Sequence, residues 1–232
     1  MQNTQSLQQL YLKVQALPHL KQANTLKGLK QLEALQHMRL KQQYASAFAT
    51  PSGQTALYLF CQHIYHHESI FLLNRQIEEA LKQKIKFERW LSQDLLNSIS
   101  HAYRMAFESL KLDLELVNHT SDLTHLTPED LIQQYQLHGQ TKARIKQLDD
   151  LLVLLQQCER YANSFLMRSA LRMAKSTLIR RGFSALYDFL NLSLKNFKAQ
   201  HAAVQVMQHV ILQEKQHLLS LKQDQVNSKT FG

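Results

Sequence analysis

TKARIKQLDDLLVLLQQCERYANSFLMRSALRMAKSTLI, residues 141–179, decides the fold. Ile145, Leu148, Leu152, Leu155, Tyr161, Phe165, Leu171 and Leu178 return along it at helical spacing, the pattern that gathers apolar side chains into one stripe. The stretch contains no glycine or proline, so it reads as one helix from Thr141 to about Ile179, the spine of the fold. Arg180-Arg181-Gly182 marks its end, because glycine accepts the left-handed conformation that closes a helix.

The same spacing continues on both sides. Toward the C-terminus, Phe183–Phe197 and Ala202–Leu221 read as the last two helices, with Gln223–Gly232 a polar tail. Upstream, Thr127-Pro128-Glu129-Asp130 is the strongest start signal in the chain: an oxygen cap, a proline at the first helical position and two acids at the positive helix end. That helix stops at Gly139. Asn118–Leu126 has no periodicity and reads as a loop. Leu95, Ile99, Tyr103, Phe107, Leu110 and Leu114 mark a helix that Ser92 can cap, preceded by a pattern over Ile70–Leu91. His66-His67-Glu68-Ser69 reads as a polar corner with Ser69 as a cap, and Gln54–Tyr65 as a short apolar helix. Leu26, Leu29, Leu32, Leu35, Leu40, Tyr44 and Phe48 form another helix that stops before Thr50-Pro51-Ser52-Gly53, since a residue preceding proline is pushed from helical angles. Leu7, Leu10, Tyr11, Val14 and Leu17 form the first, broken by Pro18.

The result is an all-α fold: a single multi-helix, bundle-like domain of about eight helices over 1–222, with 223–232 a flexible polar tail. Only five glycines and three prolines occur in 232 residues, well under the roughly 12% of average usage. Turn-rich β-sandwiches and glycine-looped nucleotide folds are therefore excluded. No window reaches the roughly 18 apolar residues of a spanning helix, and no secretion signal opens the chain. Two distant cysteines, Cys61 and Cys158, read as reduced thiols, which points to the cytoplasm.

The segment Gln36-His37-Met38-Arg39-Leu40-Lys41-Gln42-Gln43-Tyr44, followed by Pro51 and Leu59-Phe60-Cys61-Gln62-His63-Ile64-Tyr65, resembles the bacterial FFLEELY-motif family. Phe60 and Tyr65 keep the name-giving segment, while Leu59, Cys61 and Ile64 keep its apolar skeleton. Gln62 and His63 stand where the family has an acidic pair. Gly139, Arg144 and Gln147 resemble the family pattern at the start of the long helix, and Gly182-Phe183-Ser184-Ala185-Leu186-Tyr187-Asp188-Phe189-Leu190 its late segment. The motif positions are thus Arg39, Tyr44, Phe60, Tyr65, Arg144 and Gly182. The resemblance implies a cytoplasmic, all-helical protein and lends no established activity.

Chemistry-bearing residues are few. Cys61, His63, His66, His67 and Glu68 are the densest ligand-type cluster, and a continuous helix places His63 and His67 one turn apart, as zinc ligands are. Glu214-Lys215-Gln216-His217 is a single Glu-x-x-His, the unit that di-iron bundles use twice. His63, His67, Glu214 and His217 are therefore the metal candidates of an alternative reading, a metal-dependent helical oxidoreductase. Packing and a polar corner account for the same residues, and the preferred reading has no catalytic residue, metal or cofactor. Trp90, beside Arg89, reads as core.

Charge is more informative. The chain carries +9 overall: +5 over 1–50, 0 over 51–110, −3 over 111–160 and +7 over 161–232. Arg168, Arg172 and Lys175 recur at steps of four and three, and Arg180 and Arg181 extend the stripe. Such a stripe suits an acidic surface, whether protein, nucleic acid or anionic lipid. No nucleic-acid-binding motif accompanies it. The preferred function is a non-enzymatic scaffold or protein-interaction module, self-associating or meeting an acidic partner through this basic C-terminal region. Nucleic acid and peripheral membrane contact are the alternatives.

Overall fold

Where helices stop is set by local chemistry, and the computed structural model places those stops close to their sequence signals. The structure describes residues 9, 11–17, 22–82, 93–120, 123–184, 187, 191 and 201–230. Eight helices are labelled here: α1 Ala23–Gln43, α2 Pro51–Leu59, α3 His67–Lys82, α4 Gln93–His119, α5 Pro128–Leu137, α6 Thr141–Asn163, α7 Phe165–Arg180 and α8 His201–Thr230. No strand occurs among the described residues, and the fold is all-α. Leu7, Leu10, Pro18, Ile85, Trp90, Ser92 and most of Phe183–Phe197 lie outside the described residues.

Two ends match their signals closely. Thr127 caps α5: its hydroxyl accepts from Asp130 N–H at 3.3 Å while the Asp130 carboxylate accepts from Thr127 N–H at 2.7 Å. This reciprocal pair satisfies two otherwise orphaned donors. Gly139 and Gly182 both sit at positive φ, 65° and 84°. In each, the following residue's N–H bonds back five residues, Gln140 to the Tyr135 carbonyl and Phe183 to the Leu178 carbonyl, which is the glycine-closed helix end.

Four expectations are corrected, the first being the tail read from Gln223 onward: α8 stays helical as far as Thr230. Residues 141–179 are not one helix: the chain leaves helical geometry at Ser164, giving α6 and α7. Adjacent Asn163 and Ser164 carry short polar side chains that compete for nearby backbone groups. Ser69 is not a cap, because α3 already begins at His67. And Thr50-Pro51 starts a helix instead of only ending one: Thr50 caps α2, its hydroxyl accepting from Gly53 N–H at 3.0 Å. α2 then widens into a π-turn over Phe60–Ile64, where Tyr65 N–H reaches the Phe60 carbonyl at 2.9 Å.

The chain divides into two compact units, each drawn from three separated stretches. The first comprises 1–18, 66–107 and 153–201. Its core includes Val14, Ile77, Leu96, Leu171, Leu178 and Phe183, with the buried Tyr103 hydroxyl donating to Asn74. The second comprises 19–65, 108–152 and 202–232. There α1 packs against α5, and Leu29, Leu32, Leu114, Leu131, Met207 and Leu218 are buried.

Within the second unit α1 and the end of α4 approach closely at Gly28, where an added Cβ would lie 2.5 Å from Val117 Cγ1. A β-branched side chain has little rotamer freedom with which to yield. Gly28→Ala is therefore expected to lower stability by about 1–2 kcal/mol, the steric cost exceeding the helix-propensity gain. On a Val117→Ala background the same change is expected to be neutral or stabilising, as read by thermal unfolding.

Candidate functional site

Among its described residues the second unit buries seven polar or charged side chains, Thr25, Gln36, Arg39, Asp113, Gln140, Arg144 and Glu214. Glu214 follows Val204, Met207 and Ile211 along the inner face of α8, and Arg39 follows Leu32 and Leu35 along that of α1. Both are 4% exposed. Arg39 holds Glu214 with a two-pronged ion pair, Nη2 to Oε1 at 2.6 Å and Nη1 to Oε2 at 2.9 Å, and the Tyr44 hydroxyl donates to the same Oε2 at 2.5 Å. A planar guanidinium matches a carboxylate in this way and lysine does not.

A second pair lies in the same unit. Arg144 Nη2 donates to Asp113 Oδ1 at 2.5 Å and to Gln140 Oε1 at 3.2 Å, and Nη1 to Gln147 Oε1 at 3.2 Å. Its guanidinium lies over the Tyr135 ring, 4.6 Å from the centroid. Gln36 Nε2 donates to Asp113 Oδ1 and to the Tyr135 hydroxyl, each at 3.3 Å. Arg39, Tyr65, Tyr135, Arg144 and Glu214 line one small cavity of about 10 Å³.

Burial sets the protonation states. Burial alone would raise the Glu214 carboxyl, but the charge and hydrogen bonds of Arg39, with the Tyr44 hydroxyl, hold it below its ordinary value. Burial opposes the charge on Arg39 and Glu214 outweighs it, so the guanidinium is more firmly protonated than usual. Burial first, then the Glu214 charge, pushes the Tyr44 and Tyr65 phenols up. The cluster is thus two paired cations and anions surrounded by neutral phenols. Glu214 already accepts three hydrogen bonds, an arrangement that suits structural locking more than proton transfer. The thiols are no better placed as nucleophiles: burial raises Cys61 and pushes Cys158 up to about 12.

The first unit carries the basic surface. On α7, Arg172, Lys175 and Arg180 are exposed, with Arg181 exposed just past its end. Met173, 75% exposed, and Ile179, 44% exposed, lie among them. Lys175 Nζ lies 5.8 Å from the centroid of the Tyr187 ring, and Arg180 Nε donates to the Ser176 carbonyl at 3.2 Å. α7 contains no acidic residue.

A family model for a domain of unknown function, DUF8198, matches residues 15–228. The chain belongs to the DUF8198 family. No curated protein and no solved structure matches it.

In this DUF8198 domain the sequence-derived candidates fall into distinct places. Arg39, Tyr44, Tyr65 and Arg144 converge on the buried cluster, and Phe60 packs edge-on to Phe48 with ring centroids 6.3 Å apart. Gly182 instead closes α7. Of the metal candidates, Glu214 is engaged by Arg39 and Tyr44, and His217 is half-buried one turn beyond it. His63 lies in the π-turn of the second unit with its ring edge-on to Tyr58 at 6.3 Å, and His67 opens α3 in the first unit. The continuous helix that would have set them one turn apart is interrupted at Tyr65 and His66. Among the described residues no group of three or more His, Cys, Asp or Glu is disposed to hold a metal ion. Arg168 lies in α7, and its side chain is outside the described residues.

Gln36, Asp113, Tyr135, Gln140 and Gln147 belong to the cluster and were not marked as a site from sequence. The available signal was a polar residue at a stripe position, such as Asp113 between Leu110 and Leu114. That pattern predicts burial, but names no partner.

Proposed function

We propose that this DUF8198 domain is a non-enzymatic interaction module that docks an acidic protein surface through the basic face of α7. The observation that carries this reading is the exposure of Arg172, Lys175, Arg180 and Arg181 together with Met173 and Ile179. Arginine and methionine are enriched in protein interfaces, and exposed apolar side chains among the cations contribute nothing to phosphate neutralisation. With no acid on α7, the charge of its face is not offset from within the helix.

The buried cluster supports the non-enzymatic part of the reading, since its carboxylates are occupied by arginine and their neighbours are neutral. The convergence of Arg39, Tyr44, Tyr65 and Arg144 supports the resemblance to the FFLEELY-motif family of bacterial proteins, and the two free thiols support a reducing, cytoplasmic setting. No described helix is long and apolar enough to cross a membrane.

The test replaces Arg172, Lys175, Arg180 and Arg181 with glutamate and measures retention on immobilised polyglutamate at low salt. Wild-type protein is expected to bind, and the reversed face to lose about tenfold or more in affinity while the far-ultraviolet circular dichroism is unchanged. Binding to phosphatidylserine vesicles or duplex DNA, with none to polyglutamate, would reassign the face to lipid or nucleic acid.

A further inference from the structure

The small cavity of the second unit has a composition that the ion pairs alone do not explain. Of its lining side chains, Arg39, Arg144 and Glu214 carry charge, so the wall holds two cations and one carboxylate. Asp113, which balances Arg144 through Oδ1, is not part of the lining. The network is balanced in charge, but the wall itself presents two guanidinium groups to one carboxylate.

Hydrogen-bond accounting leaves donors in excess around the cavity. Arg39 Nε–H and Arg144 Nε–H are buried donors with no acceptor, against one buried acceptor without a donor in the same network, Gln36 Oε1, which lies outside the lining. The Tyr135 hydroxyl accepts from Gln36 and finds no described acceptor for its own proton, and the Tyr65 hydroxyl finds none either. Burial holds both phenols above their ordinary values, so both keep a proton to donate. Four donors belong to side chains around a space of about 10 Å³, room for one atom-sized occupant. A water would bring two hydrogens of its own to a wall that already has donors in excess, whereas a halide accepts from every side and returns no donor.

We propose that this cavity is a binding site for one monovalent anion of halide size, with chloride the natural occupant, held by Arg39, Arg144, Tyr65 and Tyr135. Oxyanions such as sulfate exceed the space. The bound ion ties α1, the residue ending the π-turn, α5 and α6 together, and so couples the packing of the second unit to halide concentration. This site is independent of the α7 face, and its test does not depend on that reading.

The experiment follows thermal unfolding of the full chain in sodium chloride against sodium gluconate at equal ionic strength. Chloride and bromide are expected to raise the midpoint with the logarithm of halide concentration, by roughly 5–10 °C once the halide reaches about a hundred times its dissociation constant, and sulfate is not. Tyr65→Phe keeps the ring and removes one donor, and should raise the chloride concentration needed for a given midpoint shift about fivefold. Crystals grown in bromide should show anomalous density between the two guanidinium groups. Equal midpoints in chloride and gluconate would overturn the proposal. So would a chloride effect that Tyr65→Phe leaves unchanged, or a water in the cavity of bromide-grown crystals.

Discussion

Arg39→Met is expected to destabilise the protein by about 3–5 kcal/mol at neutral pH, because it leaves the Glu214 carboxylate buried without its counter-charge. The substitution keeps the aliphatic stem and removes the two prongs at 2.6 and 2.9 Å, so lost packing is a minor part of the effect. Adding Glu214→Leu should return most of the stability, since an apolar pair of similar volume avoids the desolvation that the ion pair incurs. The residual deficit is the Tyr44 hydroxyl, which then loses its acceptor at a cost of about 1 kcal/mol. Urea denaturation of the single and double variants gives the comparison. A double variant as unstable as Arg39→Met would show that the uncompensated charge is not the cause.

The pH dependence has a definite sign. In the wild type the folded Glu214 carboxyl is held below its ordinary value, so its contribution is complete above the unfolded value, about 4.3. It is lost as pH falls through the lower folded value. In Arg39→Met burial acts unopposed and raises the folded value, so the penalty is full at neutral pH and vanishes once the carboxyl is protonated in both states. The gap between wild type and Arg39→Met should therefore narrow as pH falls from the variant's raised folded value toward the unfolded value of about 4.3, and further as the wild-type contribution is lost below it. A gap constant from neutral pH to acid would remove Glu214 from the explanation.

Gly53→Ala is expected to cost about 3 kcal/mol, at a helical position where alanine ordinarily gains up to about 1 kcal/mol. A Cβ at Gly53 would lie 2.3 Å from the Ala47 carbonyl oxygen and 2.7 Å from Phe48 Cα. These are backbone atoms of the turn leading into α2, and no rotamer change clears them. Relief requires moving the turn that seats Phe48, which is buried against Phe60. By contrast, an added Cβ at Gly182 meets nothing within 4 Å, and only its φ of 84° opposes substitution, at about 1–2 kcal/mol. Gly53→Ala should therefore have the lower unfolding midpoint of the two; the reverse order would refute the steric argument.

Gly182 was readable as a helix end because its requirement is local, whereas Gly53 read as part of a turn and its actual constraint comes from how tightly the preceding residues fold back. The α6–α7 break was not readable either, since Ser164 interrupts a stretch whose apolar spacing continues across it. Arg172 and Lys175 were legible as neighbours on one side because helix geometry alone brings residues three apart together.

What the amino-acid sequence determined by itself is the all-α class, the capped start of α5 and the glycine ends before Gln140 and Phe183. These depend on interactions within a few residues and on the helical repeat. Only the tertiary structure decided that Arg39 meets Glu214 across 175 residues and Gln36 meets Asp113 across 77. Charge pairing depends on distance through space and on the removal of water, and neither is encoded by position along the chain.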